Sequence, residues 1–86
     1  MQKTYEVKNM SGIHARPAQK IAEAAQRYTD DVHFIKAGQL YNAKSLLTIL
    51  SMGAKYKEKI SVVATGQGAE EIIEEIGRLL CELKKS

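Results

Sequence analysis

The chain has almost nothing to crosslink and little to stack. Cys81 is its one cysteine, so no internal disulfide can form, which agrees with a reducing cytosol. It has no tryptophan and one phenylalanine. Its four tyrosines fall in no recognisable base-stacking pattern, and its basic residues are scattered. These features argue against nucleic-acid recognition. No apolar run is long enough to span a bilayer, and Met1-Gln2-Lys3-Thr4 has no leader-like apolar core. The expectation is a cytoplasmic protein with no membrane segment. Length excludes more: 86 residues suffice for one core and not for two, so a single domain over 1–86 is expected. What charge there is leans basic, at +3, which favours acidic protein partners or phosphorylated ligands without naming one.

Against this plain background one stretch carries chemistry, Gly12-Ile13-His14-Ala15-Arg16-Pro17. Ser11-Gly12 reads as a turn. Pro17 opens an Ala-rich, 3.6-periodic run and reads as part of a helix's first turn, where a missing N–H does no harm. His14 then sits at or beside the N-cap. The N–H groups of Ala15 and Arg16, unpaired within the helix, make an anion site together with the positive end of the dipole. A ring-nitrogen lone pair can attack phosphorus, and the N–H groups and the Arg16 guanidinium can receive the new oxygens. The plainer alternative is a capping or solvated turn histidine. With no second His, Cys or carboxylate beside His14, neither a metal nor a cofactor is expected.

Taken in order, 3–7 alternate as a short strand, and 15 to about 28 form a helix whose Ala18, Ile21, Ala22, Ala25 and Tyr28 share one face. Val32 to Lys36 and Gln39 to Asn42 read as a hairpin turning at Ala37-Gly38, with His33 on the face opposite Val32 and Phe34. Leu46 to Gly53 reads as a two-turn helix with Ser45 as N-cap and Gly53 as its stop. With no Glu or Gln at position 48, the cap rests on the Ser45 hydroxyl alone. So short a helix buries one stripe. Either the sheet and loops cover Leu46, Leu47 and Leu50, or some of them form an exposed docking patch. Lys55, Lys57 and Lys59 border a polar loop, and 59–64 is the cleanest strand. From Ala69 to about Lys84 runs a helix striped by Ala69, Ile72, Ile73, Ile76, Leu80 and Leu83, acidic early and basic late, with Cys81 on the flank of the stripe. The order is β-α-β-β-α-β-α, which points to an α+β fold with an antiparallel sheet and its helices on one face. Thr4, Glu6, His33 and Ser61 then belong to the open face.

Two separated motifs, Gly12-Ile13-His14-Ala15-Arg16-Pro17-Ala18 and Asn42-Ala43-Lys44-Ser45-Leu46-Leu47 running on to Ser51-Met52-Gly53, resemble the HPr family of histidine-containing phosphocarriers. That family serves the bacterial phosphoenolpyruvate-dependent sugar phosphotransferase system, and the resemblance covers essentially the whole chain. It implies an open-faced sandwich, a four-stranded antiparallel sheet covered by three helices. It implies that His14 takes a phosphoryl group from phosphorylated enzyme I on Nδ1 and passes it to enzyme IIA of a sugar permease, with Arg16 steadying the group. The protein would thus be a stoichiometric carrier rather than an enzyme. Ser45 matches the site of an ATP-dependent HPr kinase/phosphorylase. Pro17, Lys20, Leu46, Leu47 and Leu50 match the docking surface, which implies exposure of the leucines. Two departures stand out: Leu46-Leu47 where Ile-Met is frequent, and Thr48 where Gly is frequent.

Two other readings compete. A regulatory paralogue would act through phosphorylated Ser45 as corepressor for a catabolite-control transcription factor in carbon catabolite repression, a role that would not need His14. A small basic nucleic-acid-binding domain is suggested by charge alone. A monomer is expected, because no apolar stripe is left over beyond the docking patch.

Overall fold

The computed structural model describes residues 1–81. Its elements are β1 (Gln2–Glu6), α1 (Ala15–Gln26), β2 (Val32–Lys36), β3 (Gln39–Asn42), α2 (Leu46–Met52), β4 (Lys59–Ala64) and α3 (Ala69–Cys81), the order expected from the sequence. The strands form one antiparallel sheet in the order β1-β4-β2-β3.

The pleat sorts the strand residues by face. Phe34 pairs with Val62, and with Val32, Ile60 and Ala64 they are buried beneath the helices. Thr4, Ser61 and His33 lie on the other face, where the Thr4 and Ser61 hydroxyls are 2.9 Å apart across the β1–β4 pair. That face is not wholly polar. Ile35 and Val63 lie on it half-buried, and Leu40 is 63% exposed.

α1 buries Ala18, Ile21, Ala22, Ala24 and Ala25, and α3 buries Ala69, Ile72, Ile73, Ile76, Gly77 and Leu80. Gly77 is required by close approach, since a Cβ there would lie 2.2 Å from the Tyr5 ring. Cys81 is half-buried and donates from Sγ to the Glu6 carbonyl at 3.5 Å, a packing thiol as expected. The expected continuation of the α3 stripe through Leu83, with Lys84 and Lys85, lies outside the described residues.

β1 begins one residue earlier than expected, at Gln2, and β1 and α1 each end sooner than expected, for local reasons. β1 ends at Glu6 because the Val7 N–H and C=O turn to Glu58 O and Lys57 N, both at 2.9 Å, in the loop before β4. α1 ends at Gln26 because the chain tightens into a three-residue turn, with Tyr28 N donating to Ala25 O at 3.0 Å. The Tyr28 hydroxyl then reaches the carbonyls of Thr65 and Gln67, at 2.5 and 3.1 Å. Tyr28 therefore ties α1 to the β4–α3 turn instead of extending the helix.

Candidate functional site

The approach to His14 is shaped by its neighbours' backbone. Asn9 folds the turn, taking Gly12 N–H on its carbonyl at 2.8 Å and Ser11 N–H on its side chain at 3.0 Å. Gly12 has φ +74, and a Cβ there would meet Ala54 O at 2.7 Å, so only glycine fits the close pass. Ile13 donates its N–H to Ala54 O at 3.0 Å and buries its side chain in the core. The chain thus arrives at His14 held from behind, against the loop that follows α2.

His14 is the N-cap of α1, extended at φ −109 and ψ −170, and its carbonyl accepts Ala18 N–H at 3.0 Å. Its imidazole makes no capping bond, which removes the plain capping alternative. The ring is half-buried, whereas Ala15 and Arg16 are exposed. The Ala15 and Arg16 N–H groups belong to the first turn and have no partner within the helix, and Pro17 contributes none. Among the described residues no hydrogen bond engages the His14 ring or the Arg16 guanidinium. An imidazole, two outward N–H groups and a guanidinium are therefore gathered at one helix end, and together they can cradle a dianionic oxygen group.

Ser45 caps α2 as expected, accepting Thr48 N–H at 3.2 Å. The cap does not rest on that bond alone, since the Thr48 hydroxyl also donates to Ser45 Oγ, at 2.9 Å. Gly53 closes α2 in the left-handed conformation, φ +62. Leu47 stands 79% exposed and Leu46 36%. Leu50, expected on the same patch, is instead half-buried and packed against the core, because it shares the inner side of α2 with Ile49. Pro17 is half-buried and Lys20 exposed. Lys55, Lys57 and Lys59 are exposed.

The two candidate sites do not adjoin. Ile13 meets Ala54, just beyond the end of α2, while at the other end Gln26 Nε2 donates to Lys44 O at 2.8 Å and Lys44 Nζ to Tyr28 O at 2.6 Å. α1 and α2 therefore run antiparallel, with His14 and Ser45 at opposite ends of the 12-residue α1, a span of about 18 Å. Between them lies the α2 surface bearing Leu46 and Leu47.

Sequence reasoning missed several contributors. Met10, 77% exposed, and Tyr56, also exposed, add apolar surface in the two loops that meet behind His14. Lys36 and Glu58 sit behind the same loops: Lys36 Nζ donates to Met52 O at 3.0 Å and lies 3.6 Å from Glu58 Oε1, which takes Lys55 N–H at 2.7 Å. That backbone N–H, helped by the Lys36 charge, holds the Glu58 carboxyl below its ordinary range, against a smaller opposing push from burial. A lysine ending a strand and a glutamate in a polar loop read from sequence as ordinary surface charges, so no signal marked them.

The family model described as the PTS HPr component phosphorylation site matches residues 1–82. The chain belongs to the HPr family. It is 41% identical over 76 residues to the phosphocarrier protein HPr of Chlamydia pneumoniae, covering 88% of this chain and 70% of that one. It is 30% identical to the HPr-like protein Crh of Bacillus subtilis, over 95% of this chain and 96% of Crh. The crystal structure of an HPr from Bacillus anthracis superposes with a TM-score of 0.87 at 31% identity, covering 93% of this chain and 95% of that one. The four-stranded antiparallel sheet under three helices is thus the HPr fold, and the chain's kinship lies with phosphocarrier proteins, with the HPr-like protein Crh among its relatives.

Proposed function

We propose that this HPr-family chain is a phosphocarrier whose acceptor is His14. In this reading the lone pair of Nδ1 attacks the phosphorus carried by the active-site histidine of phosphorylated enzyme I. The donor P–N bond breaks as the new one forms, and the reverse chemistry delivers the group to an enzyme IIA domain. The observation that carries the reading is the unengaged imidazole beside the Ala15 and Arg16 N–H groups. Those donors and the Arg16 guanidinium would meet the phosphoryl oxygens, while the half-buried ring, free of hydrogen bonds and flanked by the exposed Ala15 and Arg16, would leave the phosphorus open to in-line attack. Pro17 and Lys20 beside the site, with Leu46 and Leu47 on α2, would form the docking surface, joined by Met10 and Tyr56. Leu50 would support that surface from below. Weak, rapidly released docking suits a shuttle, and a monomer suffices for it. One phosphoryl group per chain, held and handed on, makes the protein a carrier in a cytoplasmic relay of sugar transport, with no cofactor of its own.

The test is phosphoryl transfer from phosphoenolpyruvate through enzyme I. One acid-labile phosphate per chain, absent in His14→Ala, is the expected result. A competent enzyme I that leaves the wild type unlabelled refutes the reading.

Ser45 is proposed as a second, regulatory position for an ATP-dependent HPr kinase. A phosphate there brings a charge of about −1.5 to −2 to a helix N-terminus, where the dipole favours it. The Thr48 hydroxyl and N–H are already directed at that atom. Because Ser45 and His14 occupy opposite ends of α1, its effect would reach the acceptor through altered docking across Leu46 and Leu47 and not by contact. Unchanged hydrogen exchange in 45–53 on phosphorylation is expected, and melting of α2 would count against it. The kinship with Crh supports the paralogue reading, in which phosphorylated Ser45 serves a catabolite-control transcription factor. That role can coexist with the carrier role, and it stands alone only if His14 takes no phosphate.

A further inference from the structure

We propose that Glu58 is a positioning residue for phosphoryl acceptance at His14, holding the 54–58 loop as the platform against which the His14 segment is set. This rests on the carrier reading above. The chain of contacts is continuous. Glu58 Oε1 accepts Lys55 N–H at 2.7 Å, and Glu58 N–H returns to Lys55 O at 3.0 Å, so residues 55–58 close on themselves. Lys57, in the middle, is left-handed at φ +74, an unusual conformation for a lysine that this closure imposes. Its N–H and the Glu58 carbonyl pair with Val7, just past the end of β1. Lys36 reaches from the end of β2 to the Met52 carbonyl at the end of α2, and its ammonium lies 3.6 Å from Glu58.

Immediately before this closed loop stands Ala54. Its carbonyl receives Ile13 N–H and is the atom that a side chain at position 12 would strike. The direction in which that carbonyl points fixes where Ile13, and hence the N-cap at His14, can lie. Without the side-chain contact the loop keeps its backbone bonds, Glu58 N–H to Lys55 O and the two to Val7, but Lys55 N–H, on the peptide that carries the Ala54 carbonyl, is released. Ile13 would then be tied to a movable anchor. A ring that must meet phosphorus in line while its neighbours' N–H groups meet the oxygens is sensitive to displacements of about 1 Å.

The contact that matters is acceptance of a backbone N–H, which an amide oxygen also provides. Glu58→Gln should therefore preserve function and Glu58→Ala should not. The experiment compares these with wild type and with Arg27→Ala, which breaks the Arg27–Glu75 pair at the far end of α1 and serves as a control for general loosening. Two readouts need no partner protein. The first is amide hydrogen exchange at Ile13. The second is the rate at which phosphoramidate phosphorylates His14, followed by 31P NMR: the imidazole forms the new P–N bond, the donor P–N bond breaks, and ammonia leaves with the proton the ring gives up. In Glu58→Ala, Ile13 exchange should rise about tenfold and the phosphorylation rate fall about fivefold, at a temperature where every variant is folded. Glu58→Gln and Arg27→Ala should stay within about twofold of wild type. An unchanged rate in Glu58→Ala, or a Glu58→Gln as slow as Glu58→Ala, overturns the proposal. Wild type that reacts with phosphoramidate at His14 but takes nothing from enzyme I would defeat the carrier reading and leave the positioning effect measured.

Discussion

The two ends of the α1–α2 pair are secured by different mixtures of backbone and side-chain ties. At the His14 end the ties run mainly from backbone to backbone, Gly12 to Asn9 and Ile13 to Ala54, with the Asn9 side chain on Ser11 N–H and the Lys36 and Glu58 side chains set behind. At the Ser45 end, beside the backbone bond from Ser45 N–H to Asn42 O, more of the ties consume side chains: Gln26 and Lys44 bridge to backbone carbonyls, Asn42 Oδ1 takes Lys44 N–H at 2.9 Å, and Ser45 and Thr48 bond to each other. An end held by its backbone can keep an imidazole and a guanidinium available for a ligand. An end held by its side chains is ordered at the expense of such groups. The end that leaves an imidazole and a guanidinium unengaged thus differs from the other in which atoms do most of the holding.

The comparison breaks most visibly at Gly12. Gly12→Val places a Cβ 2.7 Å from Ala54 O in a left-handed backbone, and should lower stability by about 2 kcal/mol or more in urea unfolding. It should also slow phosphorylation of whatever molecules remain folded. At the other end, Ser45→Ala removes an N-cap and should lower stability by about 1 kcal/mol while leaving the His14 reaction with phosphoramidate unchanged.

Tyr28 sharpens the contrast through pH. Desolvation, and to a smaller degree the Asp30 charge, raise its phenol above the ordinary value. A group raised in the folded state contributes its full stabilisation below its unfolded pKa, near 10, and loses it as pH rises through the higher folded value. Wild type should therefore lose urea resistance in that alkaline window. Tyr28→Phe should begin less stable at neutral pH, having lost the bonds to Thr65 and Gln67, and lack this alkaline decline. The smallest effect on stability belongs to Leu47→Asp. At 79% exposure it should alter unfolding by less than about 0.5 kcal/mol, yet slow transfer from enzyme I and leave the phosphoramidate reaction untouched.

Much of the fold was legible because its signals are local. Alternation marked β4, the 3.6-residue period marked α1 and α3, and Ser45 and Gly53 bracketed α2 within a residue. The candidate acceptor was legible for the same reason, since Ser11-Gly12 marked a turn and Pro17, heading an Ala-rich periodic run, marked a helix start beside His14. What escaped was decided between segments. The period alone could not place Leu50 against the core, because that depends on how α2 is rotated over its neighbours. It could not set Lys36 or Glu58 behind His14, since the contacts join the ends of β2, α2 and the loop before β4. Thr48 was noted as a departure from the family pattern, but its bond to Ser45 needed the helix to be built first.

The sheet order β1-β4-β2-β3 also has a consequence for synthesis. β1 and β2 each pair with β4 and not with each other, so β1 has no native neighbour until residue 64 has been made. An emerging chain can close the β2–β3 hairpin early, while β1 waits with its backbone groups unpaired. Completion is therefore a late event that joins the two halves at once, a non-local step of the kind that slows folding. On stalled ribosomes, protection of β1 should appear only once β4 has left the exit tunnel.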